Sequence, residues 1–405
     1  MIINENHVVS ALDLSRANKG FKDISLYGEL NNIVLLGKEI DLLETIRRQD
    51  NPNKDFFKMP KRIVVLYASA IGIEPVVLEQ ISLKRLEAYR LIEKDGNEIE
   101  VKYQDSKKIF EYGISQIKNF DKKDQLLLDL IAKGMIKPIS QDYYETVASH
   151  FPNDLHNSLE DYLTKTKILS PIQAKDTFYY SSPKIYKHEP SFRKLLEYNE
   201  DKNVSDALEF ICNNPGIPLD SISPDELNSQ VLKGLTVAGA FDSITLNIDG
   251  VPRNYLIPSN LNSDRYDKDN LDQVKKTLAN FRFSERYAKF TLHNLTRFFE
   301  SLLDRGFAGD ASPIGTDYRN LELAGIIRVQ KTSGDRHRLW MLKKDVIEDT
   351  LNVLKGSVPL ITSNPNINLV EMNDSVLTRM MMSQNPGREV KITTDAIRKI
   401  ERNLL

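Results

Sequence analysis

The feature that most constrains this chain is a succession of local patterns that occurs four times along it. Each occurrence has an apolar-spaced helical segment, a connecting stretch, further helical residues and two β-prone runs separated by a polar turn. In the clearest case, at 315–342, a helical segment ends at Gly325 and β-prone runs flank the turn Thr332–Asp335. Glycine commonly ends a helix, and such a turn predicts a hairpin. Four patterns at spacings of roughly 70 to 90 residues account for most of the chain.

The last occurrence predicts two helices and a hairpin. Residues 290–306 have apolar side chains at helical spacing and end at a glycine. The helix before the hairpin has Tyr318, Leu321 and Leu323 as its predicted buried stripe. The predicted order is therefore helix, short segment, helix, hairpin.

The first occurrence repeats this order near the N-terminus. A helix is predicted from about Gly37, and the later hairpin turns at Asp95-Gly96. Apolar residues follow helical spacing before that turn and alternate after it, as in a half-buried strand. The residues predicted to be buried are Leu83, Leu86, Leu91, Ile92, Ile99, Val101 and Tyr103.

The two middle occurrences carry weaker patterns of the same kind. In the second, Ser140 is a predicted helix N-cap and the β-prone run is 176–182. In the third, Asp249-Gly250 separates two β-prone runs and predicts a hairpin turn.

The order of elements resembles the winged helix-turn-helix domain, in which a helical triad packs on a small hairpin whose loop is the wing. The resemblance is clearest over about 70 residues of the last occurrence and is carried by pattern rather than by an invariant motif. It implies an α+β, predominantly helical protein of three to four winged-helix-like modules, each a helical triad with a small β-hairpin, joined by linkers and a long helix. The alternative is a mixed α+β protein whose helix-hairpin successions are alike because such elements are common.

The modules have predicted boundaries. A polar linker at 258–273 leads into a long helix predicted from about Leu271 to Arg305, and residues 392–405 predict a closing amphipathic helix. The predicted segments are a first module at 1–104, a second at 105–188, a third at 189–262, the long helix and a fourth module at 263–356, and a C-terminal extension at 357–405.

Composition excludes several classes of protein. No apolar run approaches the roughly 20 residues that span a bilayer, so we expect no membrane partner. The N-terminal residues lack a signal-peptide pattern, and one cysteine, Cys212, forms no internal disulfide, which favours the cytoplasm. The net charge of -2 means that any attraction to nucleic acid is local.

Motifs for catalysis are scarce, so we expect no metal and no cofactor. Phosphate loops, zinc-protease motifs, nucleophile elbows and dinucleotide fingerprints are missing from the sequence. His150 and His156 are six residues apart, which is not a metal-binding helical pair. Glu100 and Lys102 match half of a metal-dependent nuclease site, but alternating charges are also typical of a solvated strand face.

Basic residues gather on the predicted third helix and wing of the fourth module and on the third helix of the first. The resemblance implies that these surfaces meet DNA, the helix in the major groove and the wing at phosphates or the minor groove. A solvated surface is the alternative, since acidic residues are interleaved with each cluster. The candidate nucleic-acid-binding residues are Arg319, Asn320, Arg328, Lys331, Arg336, His337 and Arg338, with Lys84, Arg85 and Arg90 in the first module.

The expected function is non-catalytic DNA binding, in a regulator, a replication or partition factor, or a DNA-sensing component of a prokaryotic defence or mobile-element system. The middle modules contain few basic residues, so they and the C-terminal extension are expected to contact protein partners. The alternatives are a winged-helix scaffold subunit of a multiprotein assembly and, less favoured, a metal-dependent nuclease.

Overall fold

Small three-stranded antiparallel sheets organise the chain. In each of the four sheets among the described residues, a short strand that precedes the last helices of its module pairs with the second strand of the hairpin, which is therefore central. The protein is α+β, with helices between and around these sheets. The computed structural model describes residues 1–17, 24–48, 57–103, 106–223, 227–248, 251–261, 268–288 and 292–355.

The described residues divide into two compact regions, with the boundary between Gln125 and Leu126. The N-terminal region contains the first module and flanking helices. A π-helical turn at Leu78–Ser82 joins two of its short helices into one continuous helical segment. Its elements are α1 (Glu5–Ala17), α2 (Ile24–Arg48), β1 (Phe57–Pro60), α3 (Lys61–Ile71), α4 (Pro75–Val77), α5 (Leu83–Ala88), β2 (Ile92–Asp95), β3 (Glu98–Val101) and α6 (Ser106–Lys118).

The first sheet confirms the predicted buried residues and shifts the turn. All seven residues predicted to be buried are buried. The strands pair Asp95 with Glu98, so the two-residue turn is Gly96-Asn97, one residue later than predicted. Gly96 has a φ of 59°, which glycine adopts without steric cost.

Helix α1 is enclosed, and its close approach to α2 depends on a glycine. Its residues His7–Ser15 are all buried. A Cβ atom at Gly37 of α2 would lie 2.3 Å from the carbonyl oxygen of Ala11 and 2.6 Å from the Cβ of Ser15. The hydroxyl of Tyr103 donates to the carbonyl of Leu43 at 2.6 Å, which ties the end of the first sheet to α2.

The second module begins with α7 (Lys122–Gly134), whose residues from Leu126 onward belong to the C-terminal region. Ser140 caps its middle helix as predicted, accepting a hydrogen bond from the backbone N–H of Tyr143 at 3.4 Å. Tyr144 stacks on Tyr180 of the hairpin, with ring centroids 4.0 Å apart. Its elements are α7 (Lys122–Gly134), β4 (Ile139–Ser140), α8 (Gln141–Ala148), α9 (His156–Lys165), β5 (Ser170–Ala174) and β6 (Thr177–Ser181).

The third module shares a core with the hairpin of the second. Ile172 and Tyr179 of that hairpin belong to one buried cluster with Leu196, Leu208 and Val231. The two modules are therefore packed against each other rather than joined by a free linker. The elements of the third module are α10 (Glu189–Tyr198), α11 (Asp201–Asn213), β7 (Ile217–Pro218), α12 (Ser229–Ala238), β8 (Phe241–Ile248) and β9 (Val251–Pro258).

The fourth module packs around a further buried cluster. Phe281 lies at its centre, in ring contact with Phe298, Phe299 and Tyr318. Burial raises the pKa of the Tyr318 hydroxyl to about 12. The elements are α13 (Lys268–Arg286), α14 (Leu295–Arg305), β10 (Phe307–Ala311), α15 (Ile314–Asp317), α16 (Arg319–Leu323), β11 (Ile327–Lys331), β12 (His337–Met341) and α17 (Lys344–Leu354).

Two predictions for the fourth module are wrong. The single long helix predicted over 271–305 is two helices, because α13 ends at Arg286 and Asn294 caps a new helix by accepting from the N–H of Arg297 at 2.9 Å. Leu323 is 78% exposed, whereas Tyr318 and Leu321 are buried as predicted. Two residues along a helix turn the side chain by about 200°, which points Leu323 away from the core.

Three sequence predictions lie outside the described residues. They are the hairpin turn at Asp249-Gly250, the C-terminal extension at 357–405 and its closing amphipathic helix at 392–405. The turn Thr332–Asp335 is described and joins β11 to β12 as predicted.

We expect Gly37→Ala to destabilise the N-terminal region, because the added methyl group meets the backbone of α1. Overpacking of this kind costs about 1–3 kcal/mol of unfolding free energy. Urea unfolding followed by circular dichroism measures the loss.

Gly28→Ala on the same helix is the matched control. A Cβ atom at Gly28 meets nothing within 4 Å, so alanine there should stabilise the helix by about 0.5–1 kcal/mol. A Gly37→Ala protein as stable as the Gly28→Ala protein would contradict the close packing of α1 on α2.

Candidate nucleic-acid interface

Seven of the ten candidate residues belong to one helix and one hairpin of the fourth module. Arg319 and Asn320 lie on α16, and both are exposed. Leu321 anchors that helix in the core. The carboxylate of Glu322 accepts the backbone N–H of Val329 at 2.9 Å, which ties α16 to the edge strand β11. The helix therefore lies beside the edge of the hairpin, and the two together make up the candidate surface.

The register of the hairpin separates its two faces. Arg328 lies opposite Trp340, and Gln330 lies opposite Arg338. Residues directly opposite in an antiparallel pair share a face, so these four side chains are on one face, which we call the outer face. The other face carries Leu339, which is fully buried in the module's core.

Strand β10 completes the outer face. Phe307 is the register partner of Trp340. Asp310 lies 3.8 Å from the guanidinium of Arg338 and 3.9 Å from that of Arg336. It also accepts a hydrogen bond from the hydroxyl of Thr332 at 2.7 Å. One carboxylate thus holds the turn and both arginines, and two positive charges share a single negative one.

Three other cations of this surface are unneutralised. Arg319, Arg328 and Lys331 are exposed and form no ion pair with any described residue. Such cations are available to an anion without first breaking an internal contact. The positive charge of the surface therefore comes from these three residues and from Arg336 and Arg338, whose two charges are balanced by only one carboxylate, that of Asp310.

His337 differs from its neighbours on the hairpin. Its ring packs so closely on α15 that a Cβ atom at Gly315 would lie 2.8 Å from it. Its Nδ1 is 3.0 Å from the carbonyl oxygen of Asp335. The structure places His337 between the turn and α15, on the opposite face from Arg338.

In the first module, Arg85 points towards a buried carboxylate. Its guanidinium is 3.7 Å from Glu39 of α2, whose side chain is fully buried and accepts the hydroxyl of Tyr112 at 2.6 Å. Burial raises the pKa of the Glu39 carboxyl, against the hydrogen bonds of Tyr112 and Ser82 and the charge of Arg85. Arg85 is therefore a partner of Glu39, in contrast to Lys84, which is exposed.

Arg90 is exposed and has a left-handed backbone conformation, with a φ of 59°. It lies two residues after the end of α5 and two residues before the first strand of an acidic hairpin. The three candidates of the first module are thus separated by the structure into one inward-facing residue, Arg85, and two outward-facing ones.

The four hairpins share one strand order but differ in charge. The hairpin at 327–341 has four lysine or arginine residues and one aspartate. The hairpin at 92–101 has one lysine and four acidic residues, the one at 170–181 has one of each, and the one at 241–258 has one arginine and two aspartates. Only the fourth hairpin is basic.

Phe307 and Asp310 belong to this surface, and sequence reasoning missed both. They lie on β10, whose pairing with β12 is long-range, so no local pattern links them to the hairpin. The signal available was the short stretch between α14 and α15, whose length allows a strand.

The two residues of the partial nuclease motif, Glu100 and Lys102, form an ion pair with each other. The ammonium of Lys102 lies 2.5 Å from Glu100 and 2.9 Å from Glu93, the cross-strand partner of Glu100. These hydrogen bonds raise the pKa of Lys102, which favours its protonated form. Among the residues that the structure describes, no group of three or more histidine, cysteine or acidic residues is placed to hold a metal ion.

Comparisons with protein-family models, with curated proteins and with solved structures find no match to this chain. No helix in the described ranges is long and apolar enough to cross a membrane.

We expect Arg85→Ala to lower the free energy of unfolding and the neighbouring Lys84→Ala to leave it within about 0.5 kcal/mol. Loss of Arg85 leaves Glu39 buried without its cation. The expected loss is about 1–2 kcal/mol, less than for a fully buried ion pair, because Arg85 is partly exposed. Equal stabilities of the two variants in urea unfolding would show that Arg85 is an ordinary surface residue.

Proposed function

We propose that this chain is a non-catalytic protein that binds double-stranded DNA through its fourth module. We assign the four modules to the winged helix-turn-helix class. The assignment is supported by the order helix, strand, helices, hairpin, and by the pairing of the first strand with the last in every sheet. That topology places a helix and a hairpin loop on one side of each module, where such domains meet DNA.

The observation that carries the proposal is that the fourth hairpin is basic whereas the other three hairpins are not. All four have the same strand order, so a basic hairpin is not a requirement of the fold. The fourth alone has a surplus of cations, and two of them, Arg328 and Lys331, are exposed and unpaired among the described residues. Phosphate neutralisation by such residues dominates the affinity of proteins for DNA.

The helix α16 supplies the second contact. Arg319 and Asn320 are exposed on it, and both residue types bind base edges in the major groove, arginine to guanine and asparagine to adenine. In this arrangement α16 contacts the bases, and Arg328, Lys331 and Arg336 contact phosphates. With three phosphate contacts from cations, log affinity should fall with log salt at a slope of about -3.

The first module contributes less to this function. Lys84 and Arg90 are exposed, but its hairpin is acidic and repels phosphate. His337 supports the wing of the fourth module through its packing on α15 rather than by reaching the ligand.

A second candidate function, a scaffold subunit, is favoured by exposed apolar side chains on the helices that precede two other hairpins. Val237 on α12 is 68% exposed and Val76 on α4 is 62% exposed. Exposed apolar residues on a helix with few basic residues favour contact with protein rather than with phosphate. The first and third modules would then hold partners while the fourth holds DNA.

We expect the double variant Arg328→Glu, Lys331→Glu to bind a blunt random-sequence duplex about tenfold or more weakly than the unchanged protein. Its salt slope should fall by about 2, because two phosphate contacts are lost. Fluorescence anisotropy at several salt concentrations measures both quantities.

The matched control reverses two exposed lysines elsewhere in the same region, Lys194→Glu with Lys202→Glu. It changes the net charge of the chain by the same amount and should leave binding nearly unchanged. Equal losses in the two double variants would mean that only overall charge matters. An unchanged protein that binds no DNA at low salt would favour the scaffold function.

We expect Asp310→Asn to strengthen DNA binding and to steepen the salt slope by about 1, because it releases Arg338 from its carboxylate, whereas Arg336 still donates to the backbone carbonyl of residue 310 at 3.0 Å. Asparagine keeps an oxygen that accepts from Thr332, so the turn should stay intact. Weaker binding by this variant would show instead that the ion pairs order the wing for DNA.

A further inference from the structure

The outer face of the fourth sheet carries two aromatic side chains outside the hydrophobic core. Phe307 and Trp340 are half-buried, with ring centroids 5.0 Å apart and ring planes 43° apart. Neither belongs to the buried cluster of this module, which instead takes their chain neighbours Ala308 and Leu339. The largest side chain in the protein is therefore not used to fill this core.

Positive charge borders the aromatic pair on two sides. The guanidinium of Arg338 lies over the ring of Phe307, 4.6 Å from its centroid. Arg328, which is exposed and unpaired within the described residues, is the cross-strand partner of Trp340. The Nε of Arg338 is buried and has no hydrogen-bond partner among the described residues. A ligand of this face therefore has flat apolar groups and negative charge.

A regular duplex does not satisfy both requirements. It presents phosphates and base edges, while its base faces are stacked inside the helix. Unpaired nucleotides present base faces to aromatic side chains and phosphates to arginines, which is how single strands are commonly bound. A cationic ligand is disfavoured by the arginines, although Asp310 reduces their charge.

We propose that this outer face binds unpaired nucleotides, so that the fourth module recognises a single-stranded extension next to the duplex. Neighbouring strands are about 4.8 Å apart, so β10, β12 and β11 offer a platform about 10 Å wide, enough for one or two stacked bases. The part of this proposal that concerns the duplex rests on the proposed function. The part that concerns base stacking depends only on the aromatic pair.

Trp340 is the only tryptophan in the chain, so intrinsic tryptophan fluorescence reports on this face. The experiment titrates the full chain with an oligothymidine strand, a blunt duplex and the same duplex with a single-stranded overhang. We expect the strand and the overhang to quench the fluorescence and the blunt duplex to leave it nearly unchanged. In anisotropy, the overhang should increase affinity about fivefold or more over the blunt duplex, as expected when at least one base stacks on an aromatic ring.

Two variants test the role of the ring, and a third is the matched control. Trp340→Leu should lose the preference for the overhang and keep the binding of the blunt duplex. Trp340→Phe should keep the preference, which shows that a flat ring and not a general loss of folding is responsible. Phe178→Leu removes an exposed aromatic residue from the hairpin of the second module and should change nothing.

The outcomes separate the two proposals. Equal affinity for blunt and overhanging duplexes with no quenching would overturn base stacking and leave duplex binding in place. Quenching by oligothymidine without binding of the blunt duplex would support base stacking and overturn the proposed function. Loss of the preference in Phe178→Leu as well as in Trp340→Leu would also contradict the assignment to this face.

Discussion

The pairing of a short early strand with the last strand of the hairpin is the contact on which each module depends. In the fourth module, β12 is hydrogen-bonded to β10 on one side and to β11 on the other. This pairing fixes which side chains face the helices, because a strand has only two faces. It directs Leu339 to the core and Trp340 to the outer face, and it brings Asp310 beside arginines that lie far along the chain.

The same scaffold is used with different surfaces. The core of each module needs only apolar residues at the inward positions, so the outward positions are free to vary in charge. In the first hairpin those positions include Glu93 and Glu100, neutralised by Lys102, and in the fourth they include Arg328 and Arg338. The four hairpins can therefore differ in charge without any change in the strand order of their sheets.

Part of the candidate site was predictable from local pattern and part was not. The hairpins, the buried alternation through Ile99 and Val101 and the exposed cations of the fourth hairpin all follow from periodicity and turn chemistry. The direction of Arg85 did not, because the carboxylate that attracts it lies on a helix about 45 residues earlier in the chain. Leu323 was predicted to be buried, but it lies two residues after Leu321 on the same helix and therefore points away from the core.

The sequence by itself determined where the hairpins lie and which hairpin is basic, since both depend on residues close together in the chain, but it did not show the break between α13 and α14. Only the tertiary structure decided which cations are neutralised and which are available. Long-range strand pairing placed Asp310 between Arg336 and Arg338 and left Arg328 unpaired among the described residues. The same pairing set Phe307 against Trp340, because residues from distant strands become neighbours only when the sheet closes.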